Sequence, residues 1–384
     1  MKRKIIVINS CKEDLSPIYK MFEGLDEWIE FELLNSCFNS RFKSQFKEKG
    51  WPTNFFLGWF FLESNWSLIP FLLVYPVYLI SYFFYFGYLI ISKKSQAVIC
   101  ISKIDKLTAT IVARIFGQKV IWIELPNERR IFESKILKFL YKLNVKFCHK
   151  IIVVSDYTRD KLNVSGVSLR KILKISPGLS IENYQHQDDI FNNIALKNRK
   201  IKGHRYYTLG VITELNGEIN IKILFQAISR CLETIPNIQL IIIGDGKEKK
   251  NLMWLAKTMK LETLIWFVGK QVNLGKWINS FDCFVVPNEI PTIIDYNTII
   301  SVMYGGVPII AQRHVGLEGL IVNLENKLNT LTDINNCDSL NKKIIEVEQD
   351  IEARQKIGGL QKEKVKNELM LDTQILSLKE ILMD

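Results

Sequence analysis

The residues of this chain best placed to do chemistry stand at the ends of short apolar runs. Gly244-Asp245-Gly246 closes the run NIQLIIIGDG, and glycines there let a ligand come close to the backbone at a sheet edge. Pro287-Asn288 closes the run FDCFVV, and Glu289, Asp295, Ser301 and Gly306 follow it. Glu214 and Lys222 follow the run Arg205–Ile212, Glu318 lies past Val307–Ala311, and Glu124 ends KVIWIE. A strand-end glutamate such as Glu124 can serve chemistry, cap a helix or pair with Arg129 or Arg130. The seven cysteines are scattered, with no CxxC pair, so neither a zinc site nor a disulfide framework is expected.

The elements that must position these groups are buried strands joined by helices. Cys283–Val286 reads as a strand, a helix then runs to about Tyr304, Gly305-Gly306 stops it, and Val307–Ala311 is the next strand. That is one βαβ unit of a parallel sheet. Further strands are expected at Lys4–Asn9, Ala97–Ile101, Lys119–Glu124, Lys150–Val154, Arg205–Ile212, Asn237–Ile243 and Leu264–Gly269. Helices are expected at Lys106–Phe116, at Lys247–Lys260 and over the tail, with a basic amphipathic helix at Ile131–Cys148. The loop after Lys4–Asn9 has no glycine, so it offers no phosphate cradle.

A chain of 384 residues suggests two domains: 1–182, a polar linker 183–204, and 205–384, with the last helix returning to the first domain. The net charge of +11 favours anionic partners. Arg41–Lys49 interleaves Arg41, Lys43, Lys47 and Lys49 with Phe42 and Phe46, which suits nucleic acid, a membrane surface or a solvated helix face. Ser64–Ser92 then carries no formal charge, long enough for the roughly 20 residues of a membrane span. Pro70 and Pro76 interrupt it, its tyrosines are spread, and both flanks are basic. An interfacial or re-entrant helix fits better than a crossing, a helix buried wholly in the domain core is the alternative, and Phe83, Phe84 and Phe86 are the expected anchors. No nucleic-acid partner is expected, and the scattered thiols suit a cytoplasmic protein at the inner face of the cell membrane.

Several motifs resemble glycosyltransferase family 4, whose members have the GT-B fold of two doubly wound, Rossmann-like parallel-sheet domains facing a cleft. Pro287, Met303, Gly306 and Pro308 match its donor-site segment, and IIVVSDYTRDKL, NIQLIIIGDG and LIWFVG match other parts of it. By resemblance the donor-binding residues are Gly244, Asp245, Gly246, Glu214, Lys222, Asn288, Ser301, Gly306 and Glu318. Filling the approach with Gly244→Trp is then expected to abolish nucleotide binding. The family's paired glutamates fall here on Ile293 and Ser301, its diphosphate-binding Arg on Glu214 and its Lys on Ile219. Its histidine beyond the KVIWIE strand is replaced by Leu125-Pro126-Asn127. Glu124, Glu289 and Asp295 are the remaining catalytic candidates.

The resemblance implies retaining sugar transfer, without metal or cofactor, from a nucleotide-sugar to a lipid-linked or cell-envelope glycan acceptor. A second reading takes the missing markers at face value. The chain is then a membrane-associated partner or scaffold of an active homologous glycosyltransferase.

Overall fold

A computed structural model describes residues 2–11, 13–36, 40–56, 73, 76–77, 79–126, 135–180, 200–201, 204–216, 220–288, 292–313, 315–324 and 328–383. The chain divides into two compact units. Met1–Gly178, Thr292–Ile294 and Leu371–Asp384 make the first; Leu179–Pro291 and Asp295–Met370 make the second.

The first unit holds a parallel sheet of β1 (Arg3–Asn9), β2 (Ile29–Asn35), β3 (Thr53–Phe55), β4 (Ala97–Cys100), β5 (Lys119–Glu124), β6 (Lys150–Val153) and β7 (Ile172–Lys174). The spatial order is β3-β2-β1-β4-β5-β6-β7. After a short antiparallel pair, β8 (Lys200–Ile201) with β9 (His204–Arg205), the second unit repeats the plan. There β10 (Tyr207–Ile212), β11 (Ile238–Ile243), β12 (Ile265–Gly269), β13 (Cys283–Val285), β14 (Ile309–Gln312) and β15 (Leu331–Thr332) run in the order β12-β11-β10-β13-β14-β15. Both sheets are doubly wound, and in each the order reverses beside the first strand. The strands read as unbroken apolar runs because helices cover both faces of a parallel sheet. Of the linker expected at 183–204, only residues 200–201 and 204 are described, in β8 and β9.

Strand β2 escapes a pattern reading because Glu30 and Glu32 interrupt IEFELLN. The fold neutralises both: Lys4 lies 3.4 Å from Glu30, and Lys93 lies 3.6 Å from Glu32. The helix expected from Lys106 starts earlier, at Lys103, where the Ser102 side chain accepts from the Asp105 amide.

The basic-aromatic stretch is the helix Arg41–Glu48, capped by Ser40. Phe42 and Phe46 are buried beside Phe22, Tyr19 and Trp51, while the cations face outward. Its rings are core, so they are not available to a nucleic acid or a membrane. That corrects the binding reading of Phe42 and Phe46.

Of the uncharged segment 64–92, residues 64–72, 74–75 and 78 lie outside the described residues. Within the rest, a π-helical turn, Tyr82–Phe86, continues into the helix Gly87–Lys93. It is split by face. Tyr82, Phe86, Leu89 and Ile90 enter the core, whereas Val77, Ile80, Phe84, Tyr88 and Ile91 are exposed. No helix among the described residues is long and apolar enough to cross a membrane. Phe86 is fully buried, which corrects its place among the expected anchors. Phe86→Ser is expected to cost about 3–5 kcal/mol of stability, and Phe84→Ser within about 0.5 kcal/mol of none. Urea denaturation of the two variants checks the contrast.

The six described cysteines are free thiols. Burial pushes Cys148 and Cys283 up to about 12, so neither offers a thiolate nucleophile at neutral pH.

Candidate functional site

In an open parallel sheet a ligand is held outside the carboxyl ends of the strands, near the point where their order reverses. At that edge of the second sheet, β10 delivers Thr213–Asn216, β11 delivers Gly244-Asp245-Gly246 and β13 delivers Pro287-Asn288. The Asn220 amide donates to the Pro287 carbonyl at 3.4 Å, tying the start of the helix Ile221–Cys231 to the end of β13. Lys222 lies exposed in the first turn of that helix. Asn288 Nδ2 donates to Asp295 Oδ2 at 2.9 Å, so the carboxylate in the first turn of the helix Ile293–Tyr304 is held to this edge.

The glycines have a structural task here. Gly244 has φ +144°, and a Cβ on it would stand 1.8 Å from the Thr213 carbonyl oxygen. A Cβ on Gly246 would stand 2.3 Å from the Leu215 carbonyl oxygen. The loops after β10 and β11 lie backbone against backbone. The Leu215 amide donates to the Asp245 carbonyl at 3.1 Å, and the Glu248 amide to the Leu215 carbonyl at 2.9 Å. Gly244→Trp therefore breaks this turn before it can fill any ligand approach.

Two cations that the motif comparison passes over stand at the same edge. Lys249 Nζ lies 3.4 Å from Asp245 Oδ2, and Lys270 Nζ lies 4.0 Å from Glu214 Oε1. The Gly246 amide, with Lys249 and Lys270, holds the Asp245 carboxyl below its usual range. Lys270 thus stands as a counter-charge to Glu214 and Lys249 as one to Asp245. The signals were a Lys one helical turn after Asp245 and a Lys directly after the Phe-x-Gly strand.

Other candidates lie elsewhere. The helix Ile293–Tyr304 returns the chain from the carboxyl edge to the amino edge, as a βαβ unit requires. Gly306 precedes β14 and so sits at the amino edge, opposite Gly244 and Asn288. There its φ of +72° ends the helix, and its carbonyl oxygen would lie 2.1 Å from a Cβ on Gly358. Gly306 therefore caps and packs and does not border the ligand edge, a correction to its donor assignment. Ser301 lies late in the same helix and donates its hydroxyl to the Asn297 carbonyl at 2.9 Å. Glu318 is exposed at the end of the short helix Val315–Glu318, past β14. Glu289 and Ile219 lie outside the described residues. Among the described residues no group of three His, Cys, Asp or Glu could hold a metal.

The carboxyl edge of the first sheet carries buried charge. Glu124, at the end of β5, pairs with Lys106 at 3.2 Å, their side chains 4% and 0% exposed. Tyr141 donates to the same Glu124 oxygen at 2.9 Å. Glu124 is therefore a buried ion-pair partner of Lys106; Arg129 and Arg130, the partners the sequence suggested, lie outside the described residues. Next to Lys106, Asp105 accepts from the Ser10 amide at 2.9 Å, the Ser10 hydroxyl at 2.8 Å, Tyr82 at 3.2 Å and the Ser102 hydroxyl. Burial raises the Asp105 carboxyl, and these donors oppose the rise. The cluster ties β1, β4, β5 and the uncharged segment together at the switch point. A Ser-x-x-Asp capping pattern, Ser102 to Asp105, was its one visible sign.

The structure of HepE from Anabaena in complex with UDP superposes with a TM-score of 0.74 and 14% identity, covering 100% of each chain. The fold is GT-B. Residues 195–363, within the second half of this GT-B chain, match the family described as glycosyl transferases group 1. An uncharacterised glycosyltransferase of Methanocaldococcus jannaschii is 25% identical over 196 residues, 50% of this chain and 47% of that protein. The lipopolysaccharide core biosynthesis glycosyltransferase LpsE of Rhizobium meliloti is 23% identical over 134 residues, 35% of this chain and 38% of that one. The chain's match thus spans less than half the length of these two relatives.

Proposed function

We propose that the chain is a family 4 glycosyltransferase that moves a sugar from a nucleotide-sugar to a lipid-linked or cell-envelope glycan acceptor. Transfer proceeds with retention and without a metal, at the inner face of the cell membrane. The observation that carries this reading is the group 1 match of residues 195–363 upon a fold shared with a UDP-bound protein. The likeness to LpsE supports an envelope glycan as acceptor. The exposed residues Phe84, Tyr88 and Ile91 support a peripheral membrane position. A second reading, partner or scaffold of an active homologous glycosyltransferase, is favoured by Glu214 standing at the diphosphate edge.

Isothermal calorimetry with UDP-glucose, alongside a turnover assay, tests the first reading against the second. Each missing charge-assisted hydrogen bond is worth roughly 1.5–3 kcal/mol, so two weaken a diphosphate donor by about two to four decades. Binding near or above the millimolar range is expected, tightened about tenfold or more by Glu214→Arg. Micromolar binding that falls on Lys249→Gln or Lys270→Gln would assign the charge to those lysines. Neither binding nor turnover would leave the scaffold.

A further inference from the structure

Resting on the membrane reading above, we infer that the helix Lys135–Phe147 is a second contact of the first unit with the bilayer. Its lysines would take anionic lipid headgroups, and its exposed apolar arc would enter the headgroup–acyl boundary. At about 100° per residue the helix divides into three arcs. Tyr141, Asn144 and Val145 are buried against the sheet. Lys135, Lys138, Lys142 and Lys146 form a second arc, and no acidic residue occurs in the helix. Ile136, Phe139, Leu143 and Phe147, respectively 47%, 66%, 37% and 42% exposed, form the third.

A helix that faces only water is polar across its whole outer side. Here half of that side is apolar and half cationic, the division of a helix lying in a membrane interface. Lys171 donates to the carbonyls of Val145 at 2.8 Å, Lys146 at 3.1 Å and Cys148 at 2.8 Å, which places a further cation at the helix end. Lysine is depleted in protein–protein interfaces, so the charge pattern favours an anionic bilayer over a protein partner.

The surface is continuous with the exposed side of the uncharged segment. The turn Tyr82–Phe86 and the helix Lys135–Phe147 both pack on the helix Lys103–Ile115. Ile115 ends that helix 64% exposed, and Phe116 beside it meets Phe83 at 5.5 Å between ring centroids. Phe84, Tyr88 and Ile91 therefore belong to the same outer layer as Phe139 and Leu143.

Vesicle flotation of the full chain tests the inference, with phosphatidylcholine vesicles prepared with and without phosphatidylglycerol. A lysine near an anionic surface contributes about 1 kcal/mol, or about fivefold in partitioning. Lys138→Gln/Lys142→Gln/Lys146→Gln is expected to lower partitioning to the anionic vesicles about a hundredfold. Phe139→Ser/Leu143→Ser is expected to lower it tenfold or more, with thermal midpoints unchanged. Phe84→Ser/Tyr88→Ser/Ile91→Ser serves as the comparison on the other helix. If that variant loses binding while both Lys135–Phe147 variants bind like wild type, this inference is overturned and the membrane reading stands. If the wild-type chain floats with neither vesicle, both fall. Equal binding to the two vesicle types overturns the role given to the lysines, as does a partner protein captured through this face by a chain that ignores vesicles.

Discussion

Lys106→Met is expected to cost the folded state about 3–5 kcal/mol, read as a lower urea midpoint. The 3.2 Å pair with Glu124 is almost wholly out of water, so removing the ammonium takes a close counter-charge from a buried carboxylate. Replacing both partners behaves differently, because a buried pair repays its desolvation only in part. Lys106→Met/Glu124→Leu should recover most of the loss. A single Lys106→Met variant with the wild-type midpoint would show that the pair is not buried as described. The result also bears on mechanism: a glutamate that the fold depends on in its paired state is a poor candidate for proton transfer.

Gly244→Ala is expected to be as damaging, above about 4 kcal/mol, and to be seen first as lost soluble yield. Two causes combine. The φ of +144° is one that L side chains rarely adopt, and the added carbon meets the Thr213 carbonyl oxygen at 1.8 Å. That carbonyl has little room to retreat, since the Thr213 amide donates to Ile243 at 3.0 Å. Gly269→Ala is the control, because it shares a positive φ, +75°, but meets only the flexible end of Lys249 at 3.8 Å. It should cost about 1–2 kcal/mol. Equal losses at the two positions would mean that backbone conformation alone, and not the close approach of the two loops, demands the glycine at Gly244.

What the sequence made legible follows from the physics of parallel sheets. Strands buried on both faces announce themselves as apolar runs, so β4, β5, β6, β11 and β13 could be read within a residue or two. Strand β2 could not, because its neutralising cations come from β1 and from the end of a helix far along the chain. At the candidate site, Gly244, Glu214 and Asn288 are brought to one edge by strand ends that the sequence already marked. Gly306 is carried to the other edge by the helix before it, which counting motif positions along a line does not register. Lys249 stands four residues after Asp245, a spacing the sequence does display, whereas Lys270 meets Glu214 only through the fold, because pairing between separate strand ends leaves no local spacing. The same holds for Lys106 and Glu124, joined only once β4 and β5 lie side by side.

The first unit draws its last helix, Leu371–Met383, from beyond the whole second unit. That helix is fitted closely. A Cβ on Gly24 would meet Ile375 Cδ1 at 2.1 Å, one on Gly178 would meet Leu371 Cα at 2.4 Å, and Lys379 Nζ sits 3.5 Å from the Trp28 ring centroid. The Ser176 amide also donates to Gln374 at 3.1 Å. During synthesis, therefore, the half of the protein that leaves the ribosome first is the half completed last. Its seat for Ile375 and Leu371 waits in water until the second unit has emerged, and a stop codon after Met370 would damage the first unit while leaving the second unit's own residues intact.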